Sequence, residues 1–274
     1  MSAGATSLSG ALSARPRELS TLSQTAEVAR RSIVRTLRQP AQVVPALIFP
    51  LFLLAVNTGG LDAATKIPGF PTDSYLTFAL AVPFMQSGIF SLLNGGSDLA
   101  RDIESGFMDR MALTPISRSA LIAGQLAGVA TLGLIFGLVF FAVGLGAGAH
   151  FEAGIAGVPV LIALAVSITL AFGCIGMFVA ARLGSSEAVQ GMFPLFFMFL
   201  FFSSMSMPRP LIEQDWFKTI ATINPVSYLV EGIRSLFIDG FDTQALAMAF
   251  GICALFVLIF LPAAGRALGG RLGR

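Results

Sequence analysis

Residues 119–149, SALIAGQLAGVATLGLIFGLVFFAVGLGAGA, run for 31 positions without a charged side chain. A helix crosses a hydrocarbon core of about 30 Å with roughly 20 apolar residues, and it satisfies every peptide group within the segment. The run is continuously apolar rather than alternating, which makes a membrane β-strand the poorer reading. Gly124 with Gly128 and Gly133 with Gly137 form two four-residue glycine pairs that let a neighbouring backbone approach. Packing within the chain is the first expectation from them, and a subunit interface the second.

Five more uncharged runs lie to either side: 39–61, 74–97, 153–181, 188–208 and 243–265. Each is long enough to span a bilayer, so the sequence predicts an all-α membrane protein with six transmembrane helices between residues 39 and 265. Composition agrees, with 55% hydrophobic and 12% charged residues and a mean hydropathy of +0.82, outside the range of ordinary water-soluble domains. With both termini placed in the cytoplasm, thirteen Lys and Arg residues fall inside, and only Lys66, Arg209, Lys218 and Arg234 fall outside. That asymmetry sets the orientation. The fifteen acidic residues divide seven to eight and give no comparable signal.

The first 40 residues are rich in Ser and Arg, with Glu18 and Glu27 as their acids, a composition shared with organelle transit peptides. A second reading fits the pattern better. Leu22, Ala26, Ala29, Ile33 and Leu37 recur at three- and four-residue steps, while Arg30, Arg31, Arg35 and Arg38 take other faces. This predicts a disordered cytoplasmic tail over 1–17 and an amphipathic helix over 18–38 lying in the membrane interface. Residues 266–274 form a short basic cytoplasmic tail. No cleavable secretory signal is expected, because the first apolar run starts late and is itself a full span.

Several function classes lose support from what the runs lack. No Asp, Glu, Lys or Arg interrupts them, whereas ion-coupled carriers and intramembrane enzymes usually keep ionisable groups there. No G-x-x-x-x-G-K-[ST] phosphate loop surrounds Lys66 or Lys218, so ATP hydrolysis is expected of another chain. Cys174 and Cys253 lie singly inside spans and read as packing residues, and His150 beside Glu152 reads as a loop residue. No metal site is expected. A net charge of +2 with the basic residues at membrane edges favours lipid headgroups over nucleic acid as the partner.

Two stretches remain. In the fifth run Phe193, Phe196, Phe197, Phe199, Phe201 and Phe202 cluster around Pro194, which fits lipid contact or a hydrophobic substrate path. Before residue 119 stands ARDIESGFMDRMALTPISR, residues 100–118, with six charges in nineteen positions. Ile103, Phe107 and Met111 are four apart and would share one face of a short helix over 101–113, which Pro115 ends. Such a ridge suits a groove on a soluble partner, or else a connector lying on lipid.

The stretch DIESGFMDRMALTPISRSALIAGQL resembles the E-x-G-x-x-(D/E)-R-(L/M)-x-x-(T/S)-P-(I/V)-S-R signature of ABC-2 type exporter permeases, nearest their daunorubicin-resistance-type branch. The matching positions are Glu104, Gly106, Asp109, Arg110, Met111, Thr114, Pro115, Ile116, Ser117 and Arg118, and Phe107 stands where many relatives have threonine. NPVSYLVEGIRSLF, from residue 224, resembles the family's N-P-x-x-Y-x-x-E-x-(I/L)-R element through Asn224, Pro225, Tyr228, Glu231 and Arg234. Its apolar face of Val226, Leu229, Val230, Ile233 and Phe237 is too short to span, so residues 208–242 are expected to form a re-entrant outer hairpin. Glu231 and Arg234, three apart, are within reach of a pair.

The resemblance implies a permease subunit, not an enzyme. Two copies would combine with two separate ABC-type ATP-binding subunits that hold ATP and Mg, in the inner membrane of a bacterium. No cofactor would be bound by this chain. Arg101, Asp102, Ile103, Glu104, Gly106, Phe107, Asp109, Arg110, Met111, Pro115 and Arg118 would form the coupling helix that docks on the ATPase. Phe193, Phe196, Phe197 and Phe201 would offer a path for an exported hydrophobic or amphiphilic drug. An ABC-2 exporter of a lipid or lipid-linked glycan and an ion-coupled secondary transporter are the alternatives.

Overall fold

The computed structural model describes residues 21–107 and 118–272. The tail expected over 1–17, and Asp109, Arg110, Met111 and Pro115 of the expected coupling helix, lie outside the described residues. So do residues 273 and 274. Among those described the chain is helical, with no strand. The order is α1 (Thr21–Leu37), α2 (Pro40–Leu61), α3 (Tyr75–Ala79), α4 (Ala81–Glu104), α5 (Arg118–Gly146), α6 (Gly154–Leu183), α7 (Ser186–Gly191), α8 (Phe193–Phe201), α9 (Asp215–Ile223), α10 (Pro225–Ile238) and α11 (Thr243–Leu272).

Among the described residues, five stretches are long and apolar enough to cross a membrane: Pro40–Lys66, Tyr75–Glu104, Leu121–Gly146, Gly154–Leu183 and Thr243–Arg271. The run expected to be the fifth of six spans behaves differently. Its apolar helical part, Ser186–Phe201, is broken between α7 and α8 and reaches only about 24 Å at 1.5 Å per residue. At the break, the Met192 amide bonds the Val189 carbonyl at 3.1 Å, three residues back instead of four. Pro194 then sits in the first turn of α8, where a missing N–H costs nothing. Beyond Phe201 the chain turns, and the Ser203 hydroxyl donates to the Leu200 carbonyl at 2.5 Å.

The core forms around α4, which is buried along most of its length against α5, α6 and α10. Small residues make the α4–α6 seam. A methyl group added to Gly96 would lie 2.8 Å from the Gly176 carbonyl oxygen, and one added to Gly176 would run into the Leu92 carbonyl. Only glycine lets these backbones approach so far. Both glycine pairs of α5 also pack within the chain. Cβ atoms at Gly124 and Gly128 would meet the Ala29 amide and the Thr36 hydroxyl of α1 at 3.0 Å. At Gly133 and Gly137 they would meet Val166 and Ile162 of α6 at 3.0 and 3.1 Å. The outer face of α2, by contrast, exposes Val44, Ile48, Phe52 and Val56, an apolar stripe at four-residue spacing.

The α9–α10 pair turns at Asn224 and Pro225. Helix α10 has 14 residues, about 21 Å, and buries Leu229, Val230, Ile233, Leu236 and Phe237 completely. It is an internal helix, covered on its apolar side by α3, α4 and α11.

Candidate functional site

Two polar clusters lie at opposite ends of the long helices, one beside the described part of the first motif and one that includes the second. The first cluster joins α1, α4 and α5. Arg35 of α1 reaches Asp98 at 3.0 Å and Asp102 at 3.2 Å, and Arg31 reaches Asp102 at 3.7 Å. Arg101 pairs with Asp98 at 3.6 Å along α4. From α5, the Gln125 side-chain amide donates to Asp102 at 3.2 Å, while the Gln125 backbone carbonyl accepts from the Ser32 hydroxyl at 3.3 Å. Asp102 is only 8% exposed, so the arginines and the amide replace the water its carboxylate has lost. A cavity of about 40 Å³ remains between the three helices, room for about one water molecule.

Both partners of this ladder are spaced by one helical turn, Arg31 with Arg35 and Asp98 with Asp102, so each pair lies on one face. That spacing was the available signal. Sequence reasoning missed Arg31, Arg35, Asp98 and Gln125 as site residues because nothing local says that these two faces meet.

At the end of α4 the structure departs from the expected coupling helix over 101–113. Helix α4 continues through Asp98 and Arg101 to Glu104. It is closed by bonds from the Ser105 amide to the Arg101 carbonyl and from the Gly106 amide to the Ile103 carbonyl. Gly106 has φ +64°, the left-handed conformation that ends helices and is strained for other residues. Ile103 and Phe107 therefore do not share one continuous helical face. Ile103 packs inside with the buried cluster that includes Leu99 and Ala181, whereas the Phe107 ring lies under the Arg31 guanidinium at 4.0 Å. Glu104 turns to the N-terminus of α7, accepting from the Ser186 amide at 2.7 Å and from its hydroxyl at 3.2 Å. Negative charge is favoured at that position. Arg118 is the first residue of α5.

The second cluster serves the chain beyond α8. Asn224 caps α10, accepting from the Val226 amide at 2.9 Å, and its side-chain amide donates to the Phe199 and Phe202 carbonyls at 2.6 and 3.0 Å. Arg234 is 6% exposed. It donates to the Phe78 carbonyl at 3.2 Å and to the Ser204 and Met205 carbonyls at 3.1 Å, with its guanidinium 3.5 Å from the Phe78 ring centre. Tyr75 adds a bond to the Ser206 carbonyl at 3.3 Å. Side chains thus satisfy carbonyls at the end of α8, Phe199 and Phe202, and in the turn after it, Ser204 to Ser206.

The Glu231–Arg234 pair does not form. Glu231 takes Arg209 in a two-pronged ion pair, 2.7 Å at Nε, and the Arg209 guanidinium stands 4.5 Å from the Tyr228 ring centre. The Tyr228 hydroxyl donates to the Thr222 carbonyl at 2.8 Å. Planar bidentate geometry favours Arg209 over a same-helix neighbour already occupied by carbonyls.

The phenylalanines divide. Phe193 and Phe197 stack at 5.1 Å and meet Phe90 of α4 and Phe49 of α2 at 6.1 and 5.9 Å. Phe196 turns instead to Phe172 of α6 at 6.2 Å, and Phe201 is about half exposed. Among the described residues no group of three His, Cys, Asp or Glu side chains is placed to hold a metal ion.

Both clusters sit within residues 23–238, which match the family profile described as "ABC-2 type transporter". This chain belongs to that family. Two related proteins are each named "Putative transport permease ycf38". One, from Porphyra purpurea, is 26% identical over 248 residues, covering 85% of this chain and 81% of its own length. The other, from Pyropia yezoensis, is 26% identical over 263 residues with the same coverage. The ABC-2 family assignment makes the chain the transmembrane subunit of a transporter rather than a catalytic enzyme. In this permease the first cluster holds three helices together where the chain enters residues 108–117, and the second fixes the turn after α8.

Proposed function

We propose that this permease is the membrane half of an ATP-driven ABC-2 exporter. Two copies work with two ATP-binding subunits in the inner membrane of a bacterium, six segments of each copy cross the bilayer, and both termini are cytoplasmic. The cargo is a hydrophobic or amphiphilic small molecule of drug or antibiotic type. ABC-2 permeases normally work with an ATP-binding subunit, and the placement of thirteen basic residues against four supports this orientation.

The observation that carries the reading is the junction at the end of α4. Residues Asp98 to Phe107 bind α1 through Arg31 and Arg35, α5 through Gln125 and α7 through Ser186. A displacement of the following segment would reach those helices through the same contacts, without chemistry in the membrane. Asp109, Arg110, Met111 and Pro115 are then the docking residues. Phe193, Phe197 and Phe201, on the side of α8 near α2, line the cargo path, and Phe196 supports it from the α6 side.

Cysteine cross-linking tests this. Cys174 and Cys253 are buried, so single cysteines at positions 109 and 111 report alone. They should cross-link to a co-expressed ATP-binding subunit, and the cross-linked complex should lose export. Co-purification of the two proteins without a cross-link from any position between 108 and 113 would remove the coupling role from this segment.

A further inference from the structure

An apolar groove of about 700 Å³ runs between α5 and α11, lined by Ile122, Ala123, Leu126, Leu261, Pro262, Gly265, Arg266 and Gly269. Arg266 is its one charged lining residue. Among the described residues no carboxylate pairs with it, unlike Arg35 or Arg209. It follows directly on the uncharged run 243–265 and so stands at the end of the charge-free part of α11. Leu261 lies five residues earlier on α11, about 7.5 Å deeper at 1.5 Å per residue. On the facing helix, Ile122 and Leu126 descend in the same direction.

We infer that this groove is a binding site for an anionic glycerophospholipid of the cytoplasmic leaflet. Its phosphate meets Arg266, and the upper part of one acyl chain lies along Ala123, Leu126, Leu261 and Pro262. Charge complementarity decides the occupant. A second copy of the chain would bring an apolar helix and leave the guanidinium unanswered at the rim, whereas a phosphodiester answers both the cation and the apolar floor. Basic pockets between membrane helices on the cytoplasmic side are suited to lipid headgroups of this kind. The inference rests on the orientation proposed above, but its test does not depend on the ATPase or the cargo.

The test is native mass spectrometry of the full chain, delipidated in detergent and titrated with phosphatidylglycerol or phosphatidylcholine of equal chain length. The wild-type chain should retain one phosphatidylglycerol in preference to phosphatidylcholine. Arg266→Gln should reduce that preference about fivefold, the effect of about one interfacial cation. Ala123→Phe, at an exposed position, should fill the groove and lower retention of both lipids. Gly265→Leu gives a second blocking variant, since a Cβ there meets only Ile122 at 3.6 Å, an ordinary contact. Arg182→Gln, at an exposed cation outside the groove, should change nothing. Equal preference in wild type and Arg266→Gln would overturn the site, as would an equal loss in Arg182→Gln. A switch from dimer to monomer in Ala123→Phe with lipid retention intact would assign the groove to a second copy instead.

Discussion

The two ends of the permease solve the same problem, holding arginines among apolar helices, with different partners. At the α1–α4–α5 junction, Arg31 and Arg35 face the carboxylates of Asp98 and Asp102. At the other end, Arg234 faces carbonyls of Phe78, Ser204 and Met205. A carboxylate ladder between side chains on separate helices can slip or exchange partners, and salt weakens its exposed part. Carbonyls belong to the backbone and cannot be swapped, so they fix the turn after α8 in one conformation. The contrast predicts that the junction beside the candidate coupling segment yields first and that the opposite end holds.

The strongest test of that contrast removes the buried guanidinium. Arg234→Met should leave three buried carbonyls without donors, each worth about 1–3 kcal/mol, and the yield of monodisperse protein and its Tm should fall sharply. A variant with wild-type Tm would show that the carbonyls find other donors and that this end is not rigidly specified.

A smaller and more local effect is expected at the junction. Asp102→Ala leaves Arg35 with Asp98 but removes its second partner, the Arg31 contact and the Gln125 bond, a loss of about 1–3 kcal/mol. Hydrogen exchange should rise across α1 with little change in α10. Raising salt to about 1 M, where screening acts over about 3 Å, should loosen α1 in the wild type in the same direction. Protection of α1 that ignores both the substitution and the salt would place its hold in the Gly124 and Gly128 contacts alone.

The least change is expected for Glu231→Gln. Its ion pair with Arg209 is about one quarter exposed on both sides, and partly solvated pairs contribute about 1 kcal/mol or less. A Tm drop comparable to that of Arg234→Met would mean that Arg209 and Glu231, rather than the carbonyl set, carry the turn after α8.

The sequence by itself determined that this is a helical membrane protein with apolar runs of spanning length, because hydropathy and helix length are sums along one segment. It also indicated that the α5 glycines pack against the chain's own helices and that the 224–238 element is too short to span. Both motifs were legible as motifs, and the family follows from them. Tertiary structure decided the partners. Glu231 and Arg234 are three apart on one helix, yet Arg209 and the open carbonyls after α8 lie nearer in space, so the local pair is displaced. Asp98 and Asp102 stay within α4, where α1 brings Arg31 and Arg35 to them, and Ile103 and Phe107 part company at the left-handed Gly106. Spacing along a chain says which side chains share a face. What that face meets depends on which helix packs against it, and that is a property of the folded molecule alone.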